Sequence, residues 1–261
     1  MKIIDTHVHF SSYPNIKDNY KALLNISKKY NIDFSLISSV DVASYPNEGM
    51  PDYKKTTLEG ALDILPLVKK YPKKFGLAIW FAPTREVPTL ELIDFIRKNR
   101  KYIYALKFHP FMERLEISNK LLGPWLILAR QEKLPVLVHT AADIYSDIKN
   151  VEIAAKDHPK VVFIAAHCQL MGDNMDSYDI IKNNPNIYAD TAWVPASFAE
   201  KVIKEISPDK LMFGSDSPVD GVDTLGNKMY KPYFEHSLNI TDDEYQKLMY
   251  LNAKEVYKIK I

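Results

Sequence analysis

The residues with the clearest chemical potential are two histidines, His7 and His9, which close the first apolar run of the chain. In a β-strand, residues i and i+2 point to the same face, so both imidazoles would leave one side of the strand together. Two neighbouring ligands of one metal ion need this arrangement. A His-x-His pair alone is explained equally well as two ordinary strand histidines, so its weight depends on what recurs later.

Polar residues also end several later apolar runs, where a strand would give way to a loop. These residues are Lys107, His139, His167 and Asp216. Three or four nitrogen and oxygen ligands with one open position form a catalytic site of the zinc type. Such a metal lowers the pKa of bound water from about 15.7 to near 7. Any one of these histidines alone could be a hydrogen-bonded core residue, but chance explains the whole set poorly.

Short runs rich in β-branched and aromatic residues predict eight strands, most of them apolar almost throughout, as in parallel strands covered on both faces. Between them, apolar residues spaced about 3.6 apart, such as Leu90, Ile93 and Ile96, predict helices. Thr241 and Glu244 match the capping-box pattern and predict the start of a final helix. The predicted strands are 2–9, 33–40, 75–81, 103–109, 136–139, 161–167, 187–190 and 211–216.

This alternation predicts an α/β fold with one domain over residues 1–261. Strand ends recur at roughly the length of a βα unit, and eight units in about 250 residues predict a single (β/α)8 TIM barrel. An open, doubly wound sheet is the alternative, but it normally has a glycine-rich phosphate loop after its first strand. Residues 10–14 contain no glycine. In the barrel the metal site would lie at the C-terminal ends of the strands, where all the ends meet.

Composition narrows the class of protein. The 34 Lys and Arg residues nearly balance the 33 Asp and Glu residues, which argues against a nucleic-acid surface or a polybasic membrane anchor. No segment approaches the roughly 18 apolar residues of a membrane span, and the first apolar stretch is too short for a signal peptide. The single cysteine, Cys168, fits a reducing compartment. We therefore expect a cytoplasmic protein with a small-molecule partner, and the 16 tyrosines would make a homodimer unsurprising.

Several segments together carry a resemblance to a known family: 4–9 (Ile-Asp-Thr-His-Val-His), 106–110 (Leu-Lys-Phe-His-Pro), 135–140, 166–168 and 213–218, with 188–191 and 251–253 in support. In these segments the chain resembles the amidohydrolase superfamily. It is most similar to the amidohydrolase 2, or amidohydrolase-related, branch, which includes aminocarboxymuconate-semialdehyde-decarboxylase-like enzymes. The resemblance covers almost the whole chain, and it is much more specific for the superfamily than for any one reaction.

The resemblance implies a ligand set and a proton-transfer residue. His7, His9, His139 and Asp216 would hold a divalent metal, for which the mixed ligands suit zinc while manganese stays open. His167 would act as general acid and base, and Asp216 could also carry a proton to the leaving group.

Lys107 leaves the number of metal ions open. Some superfamily members have a lysine here whose carboxylated amine bridges two metals, and this chain has every side chain that such a site needs. The Lys-Phe-His-Pro form, however, resembles the branch in which one metal is expected. With one metal, Lys107 would stay unmodified and neutralise an acidic neighbour or bind a substrate oxyanion.

Two reactions fit this site. In hydrolysis, metal-activated water attacks an amide, lactone or related carbonyl. In non-oxidative decarboxylation of an aromatic or unsaturated acid, an acid protonates carbon as carbon dioxide leaves. The latter needs a cation for the substrate carboxylate, and Arg85 and Arg114 are candidates because guanidinium binds carboxylates through paired hydrogen bonds. A barrel that binds a metal but no longer turns over substrate is a third hypothesis.

Substrate contacts are predicted from position alone. His109 shares a strand face with Lys107 and could touch substrate, and Trp193 could wall an aromatic one. In the longest loop, 219–236, the polar candidates are Asp220, Asp223, Asn227 and Tyr230.

Overall fold

The computed structural model describes residues 1–46, 54–219, 221 and 223–261. Within these residues eight strands alternate with helices, as the sequence predicts. The strands are β1 (Ile4–Phe10), β2 (Phe34–Ser39), β3 (Phe75–Trp80), β4 (Ile103–Phe108), β5 (Val136–Ala141), β6 (Phe163–Leu170), β7 (Ile187–Asp190) and β8 (Leu211–Met212).

The α-helices in the described part of the chain follow the strands. They are α1 (Ile16–Lys29), α2 (Thr57–Lys70), α3 (Leu90–Lys98), α4 (Pro110–Glu113), α5 (Gly123–Glu132), α6 (Ile148–Asp157), α7 (Met175–Asn183), α8 (Ala196–Lys201), α9 (Lys231–Phe234), α10 (Asp242–Gln246) and α11 (Asn252–Val256). Wider π-helical turns extend α8 over Val202–Ile206 and join α10 to α11 over Lys247–Leu251. Short 3₁₀ turns lie at Val40–Val42, Arg100–Tyr102, Lys120–Leu122 and Thr224–Gly226.

The strands form one parallel sheet in chain order from β1 to β8. The sheet closes on itself where the segment after β8 meets β1. There the Asp216 backbone N–H donates to the His7 carbonyl at 2.8 Å, and the His9 N–H donates to the Ser217 carbonyl at 2.7 Å. The predicted (β/α)8 barrel is therefore confirmed, and His7, His9 and Asp216 lie at its seam.

The predicted strand 211–216 is shorter than expected. Only Leu211 and Met212 pair with β7 as regular strand. Asp216 has a left-handed backbone with φ 60°, which a β-strand does not allow. The segment leaves the sheet geometry before Asp216 while still bonding to β1, so periodicity predicts the element but not its end.

Apolar layers on both faces of the sheet support the site. One layer packs between strands and helices, and a second fills the barrel interior with residues such as Phe34, Leu137 and Ile164, plugged by Ala253 of α11. Further along β5 the interior position after Leu137 is His139, because alternate residues share a face. The apolar layer thus forms a packed floor beneath the polar strand ends.

The final helix begins as its sequence predicts. The Thr241 hydroxyl accepts the Glu244 N–H, and the Glu244 carboxylate accepts the Thr241 N–H. Among the described residues, no helix is long and apolar enough to cross a bilayer.

Candidate metal centre at the strand ends

The ring of His7, on β1, is fixed by Asp190 at the end of β7. His7 Nδ1 lies 2.9 Å from Asp190 Oδ2, and Asp190 Oδ1 accepts the backbone N–H groups of His167 and Ala192 at 3.0 and 3.1 Å. Because an ionised carboxylate only accepts hydrogen bonds, the proton of the neutral ring is on Nδ1 and the lone pair is on Nε2. Metal-binding histidines are commonly oriented by such a carboxylate.

Asp216 supplies the carboxylate on which both β1 histidines converge. Its Oδ1 lies 3.1 Å from His7 Nε2 and 2.8 Å from His9 Nε2. The two rings are 5.0 Å apart between centroids, as the shared strand face predicts. Ligands held about 2.1 Å from one metal ion lie about 3 Å apart when they are at right angles. Asp216 Oδ1 therefore has the spacing of a neighbouring ligand to each of the two imidazole nitrogens.

The buried cluster requires positive charge. Burial lowers the pKa of His7 to about 3 and also lowers the pKa of His9, so both rings are neutral at pH 7. Lone pairs that face a carboxylate in a low-dielectric interior repel one another unless a cation lies among them. Lys107 meets part of this need, because its Nζ donates to His7 Nε2 at 2.8 Å. Two imidazole nitrogens and a carboxylate oxygen also fit a divalent metal, zinc included.

His167 adds a fourth group to the cluster. One ligand atom each of His7, His167 and Asp216 lies within 4.8 Å of the others, so this group could hold a metal ion. His167 Nδ1 lies 3.0 Å from the Ala192 carbonyl, which places the proton of the neutral ring on Nδ1. Nε2 is buried and has no hydrogen-bond partner among the described residues. Its lone pair is therefore available to a metal or to a proton.

A left-handed turn positions His167. Three consecutive residues, 167–169, have φ of 70°, 47° and 72°, which costs energy for residues other than glycine. Side chains hold the turn: Asp190 accepts the His167 N–H, Thr140 Oγ1 accepts the Gln169 N–H at 2.9 Å, and the Asn174 amide donates to the Cys168 carbonyl at 2.7 Å. Strain held by so many contacts is typical of functional sites.

His139 and His109 reach the cluster through their rings. The His139 ring lies 3.8 Å from the His109 ring in a stacked arrangement and 4.6 Å from the His167 ring. Trp80 stacks on the other side of His109 at 5.4 Å. Burial lowers the pKa values of both histidines well below the ordinary range. His139 therefore lies beside His167, the predicted acid and base, while His109 caps α4 by accepting the Met112 N–H.

Sequence reasoning missed several residues that orient the site. Asp190 is one, although it ends a predicted strand and that position was the available signal. Ser38 Oγ lies 3.2 Å from His9 Nδ1. Trp193 does not line the cavity; instead its indole N–H donates to Asp216 Oδ2 at 3.1 Å. The Tyr230 hydroxyl accepts the Trp193 backbone N–H, and no local sequence pattern predicts that contact.

A cavity of about 900 Å³ adjoins the cluster. His9, His109, His139 and Asp216 line it, which is the arrangement of an active site at the C-terminal face of a barrel. His7, Lys107 and His167 do not line the cavity and are at most 1% exposed. Four of the predicted site residues thus face the space that a small molecule would enter.

The two predicted carboxylate-binding arginines lie elsewhere. The Arg85 guanidinium donates to the carbonyls of Val42, Lys54 and Lys55. The Arg114 guanidinium lies 4.4 Å from the centre of the Tyr45 ring. Neither arginine lines the cavity. Both guanidinium groups contact residues between β2 and α2, a use that sequence position cannot reveal.

The polar loop candidates are also used in structural contacts. Asp223 accepts from the Tyr30 hydroxyl at 2.7 Å, and Asn227 accepts the Met229 N–H. Tyr230 is buried and donates to the Ser215 carbonyl at 2.6 Å. Asp220 lies outside the described residues.

A parallel eight-stranded barrel with clustered histidines and carboxylates at its strand ends defines a class of metal-dependent barrel proteins. The family model Amidohydro_2, described as amidohydrolase, matches residues 4–259. The chain therefore belongs to the amidohydrolase 2 family, which is metal-dependent, and the resemblance seen in the sequence is confirmed. No curated protein matches the sequence closely enough to count as a relative.

Solved structures with the same fold include both decarboxylases and a hydrolase. One is 5-carboxyvanillate decarboxylase from Sphingomonas paucimobilis, at 12% identity and a TM-score of 0.71, with 99% of each chain covered. Another is a probable 2-pyrone-4,6-dicarboxylic acid hydrolase from Acinetobacter baumannii, at 14% and 0.68, covering 99% of this chain and 100% of that one. A third is a manganese complex of 5-carboxyvanillate decarboxylase from Novosphingobium aromaticivorans, at 11% and 0.68, covering 99% and 96%. At these identities the likeness establishes the fold and leaves the reaction open.

Proposed function

We propose that the chain is a metal-dependent hydrolase that acts on an amide, lactone or related carbonyl bond of a small molecule. The observation that carries the proposal is the lone pair of His167 Nε2, which is buried, has no partner among the described residues and lies beside His7 and Asp216. A base with a free lone pair next to a metal-type ligand set is what water activation needs.

We further propose that His7, His9, His139 and Asp216 hold one divalent ion, zinc in the first instance. His7 Nε2 and His9 Nε2 converge on Asp216 Oδ1, and His139 lies beside His167. When bound, the metal would lower the pKa of water and polarise the carbonyl under attack. Two ions with a carboxylated Lys107 remain the alternative, and Lys107 has the position for it because its Nζ contacts His7 Nε2.

His167 is the better of the two candidates for proton transfer. Its Nδ1–H is engaged by the Ala192 carbonyl, so Nε2 can accept a proton from water and then donate it to the leaving group. Asp216 uses Oδ1 against the histidines and Oδ2 against the Trp193 indole N–H. A proton on Oδ2 would face that donor, so Asp216 acts as a ligand in this proposal.

Decarboxylation of an aromatic or unsaturated acid is the competing reaction. Two of the similar structures are named as decarboxylases. It calls for a cation beside the cavity to hold the substrate carboxylate. Arg85 donates to three backbone carbonyls and Arg114 lies over Tyr45. Lys107 is buried and does not line the cavity, so hydrolysis has the stronger support.

The test compares the metal-loaded protein with its His167→Ala variant on aryl amides, aromatic lactones and hydroxybenzoic acids. We expect hydrolysis by the wild type and a loss of about 10²–10⁴-fold in His167→Ala, with the metal retained. His158→Ala, which removes a histidine at the end of α6, should keep full activity. Release of carbon dioxide without hydrolysis would favour the decarboxylase, and equal ligand binding without turnover would favour a binding protein.

A further inference from the structure

The cavity beyond the histidines is mainly apolar. Its wall includes the aromatic side chains of Phe10, Trp80 and Phe111 and the flexible side chains of Met112 and Met171. Aromatic rings and thioethers are suited to flat, polarisable ligands. About 900 Å³ of space lies within the range of cavities that enclose a drug-sized molecule.

Charge in the lining has one sign. Besides Asp216, the only charged side chain among the described residues of the lining is that of Asp143. Asp143 Oδ1 accepts the backbone N–H groups of Tyr145 and Ser146, both at 2.9 Å, so the carboxylate is fixed in place. The residues outside the description, 47–53, 220 and 222, contain no Lys, Arg or His.

Cations on neighbouring loops are engaged by other groups. Arg85 donates to backbone carbonyls and Arg114 covers Tyr45. The Lys55 ammonium pairs with Asp63 and donates to Ser12. An anionic group of a substrate that entered the cavity near Asp143 would therefore lose its hydrating water and lie beside a carboxylate instead of a cation. Both effects are unfavourable.

We infer that the substrate has an uncharged or cationic, largely aromatic body, and that Asp143 excludes substrates with a carboxylate on that body. This inference rests on the proposed function, since it describes the molecule whose carbonyl group meets the metal centre. It separates this chain from enzymes that act on dicarboxylic acids, and it makes Asp143 a specificity-determining residue. Asp143 acts through its charge and takes no part in the bond that is broken.

The experiment uses three benzohydroxamic acids with the same metal-binding head and a 4-methyl, 4-aminomethyl or 4-carboxy group. Each is titrated calorimetrically into the zinc-loaded protein, so the readout is binding and not turnover. The dissociation constants of the 4-methyl and 4-aminomethyl probes should be at least about tenfold lower than that of the 4-carboxy probe. Asp143→Asn keeps the Oδ1 acceptor but removes the charge, so it should narrow this ratio severalfold.

Asp147→Asn is the matched control. Asp147 caps α6 by accepting the Lys149 N–H at 2.9 Å and does not line the cavity, so its neutralisation should leave the ratio unchanged. Equal or tighter binding of the 4-carboxy probe by the wild type would overturn the inference, as would an unchanged ratio in Asp143→Asn.

Hydrolysis of dihydrocoumarin, an uncharged aromatic lactone, is measured separately. The three probes could bind in the predicted order while no ester, lactone or amide is turned over. That result would refute the proposed hydrolase and support the role of the Asp143 charge in specificity. Turnover together with tight binding of the 4-carboxy probe would support the hydrolase and refute the role of Asp143 in specificity. If none of the three probes binds, both proposals are overturned, because the hydroxamic acid group that the probes share is the group that would bind the metal.

Discussion

Three imidazoles of the proposed centre each have one nitrogen engaged and the other directed at the cluster. His7 Nδ1 meets Asp190, His167 Nδ1 meets the Ala192 carbonyl, and His9 Nδ1 lies beside Ser38. Such contacts select which nitrogen has the lone pair before any ion arrives. The identity of the donors was readable from the sequence, but their tautomers depend on partners far away in the chain.

Asp190→Asn tests this arrangement. The amide oxygen would keep the two backbone N–H bonds now made by Oδ1, so the NH₂ group would face His7 Nδ1 and shift the ring proton to Nε2. Metal affinity should fall about 10–100-fold, measured by competition with a chromogenic chelator. Asp209→Asn, a surface change on a residue that pairs with Lys247, is the control. Unchanged affinity in Asp190→Asn would contradict the role given to Asp190.

The elements were predictable where a repeating physical rule applied. Buried parallel strands read as apolar runs, and the Thr241–Glu244 capping box marks a helix start by hydrogen bonding within one turn. The left-handed residues 167–169 and Asp216 break the strand pattern, and distant side chains hold them there. Element boundaries near the site were therefore the least predictable, because tertiary contacts override local preference.

Close packing of α2 against the end of β2 predicts the effect of a methyl group. A Cβ on Gly60 would lie 2.3 Å from Val42 Cγ2 and 3.3 Å from Ser39 Cβ, so Gly60→Ala should destabilise the fold by about 1–3 kcal/mol. Gly123→Ala is the matched control, since nothing lies within 4 Å of its Cβ, and it should be neutral or stabilise by up to about 1 kcal/mol. Urea unfolding measures both changes, and equal stability of the two variants would contradict the packing argument.

Glu113, the last residue of α4, predicts a pH dependence of stability. Burial raises the pKa of Glu113, whose carboxylate accepts from Ser44 and Thr84. Between its unfolded and folded pKa values the folded state holds more protons, so the free energy of unfolding falls as pH rises through this window. Relative to Glu113→Gln, the wild type should lose stability in urea unfolding as the pH rises above the ordinary titration range of a glutamate. Parallel pH profiles would contradict the prediction, and Glu116→Gln serves as control.

Three of the four residues proposed to hold the metal, His7, His9 and Asp216, lie at the seam of the barrel. The bonds that close β1 onto the segment after β8 involve His7, His9 and Asp216 themselves, so an ion held there would bridge the two ends of the sheet. Eight βα units predict closure, and the residues at the strand ends predict the site. The cavity shape and the engagement of Arg85 and Arg114 were not predictable, because they depend on how loops from different units pack.

Metal removal should therefore lower the stability of the entire fold. A ligand that binds only the folded state adds about 2.7 kcal/mol at one hundred times its dissociation constant. Chelator treatment should lower the melting temperature, and zinc or manganese should restore it in the wild type but not in His9→Ala. Calorimetric scans of the two proteins provide the comparison. If added metal does not change the melting temperature of the chelator-treated wild type, the protein does not hold a metal ion in its folded state.

The most direct test of the central claim is the metal content per chain of purified protein, measured by elemental mass spectrometry after growth with several divalent metals. We expect about one ion per chain, lost in His7→Ala and retained in His158→Ala. A metal-free wild type, or a His7→Ala variant that keeps its ion, would contradict the proposed centre. A content of about two would contradict the single ion and favour the bridged arrangement with a carboxylated Lys107.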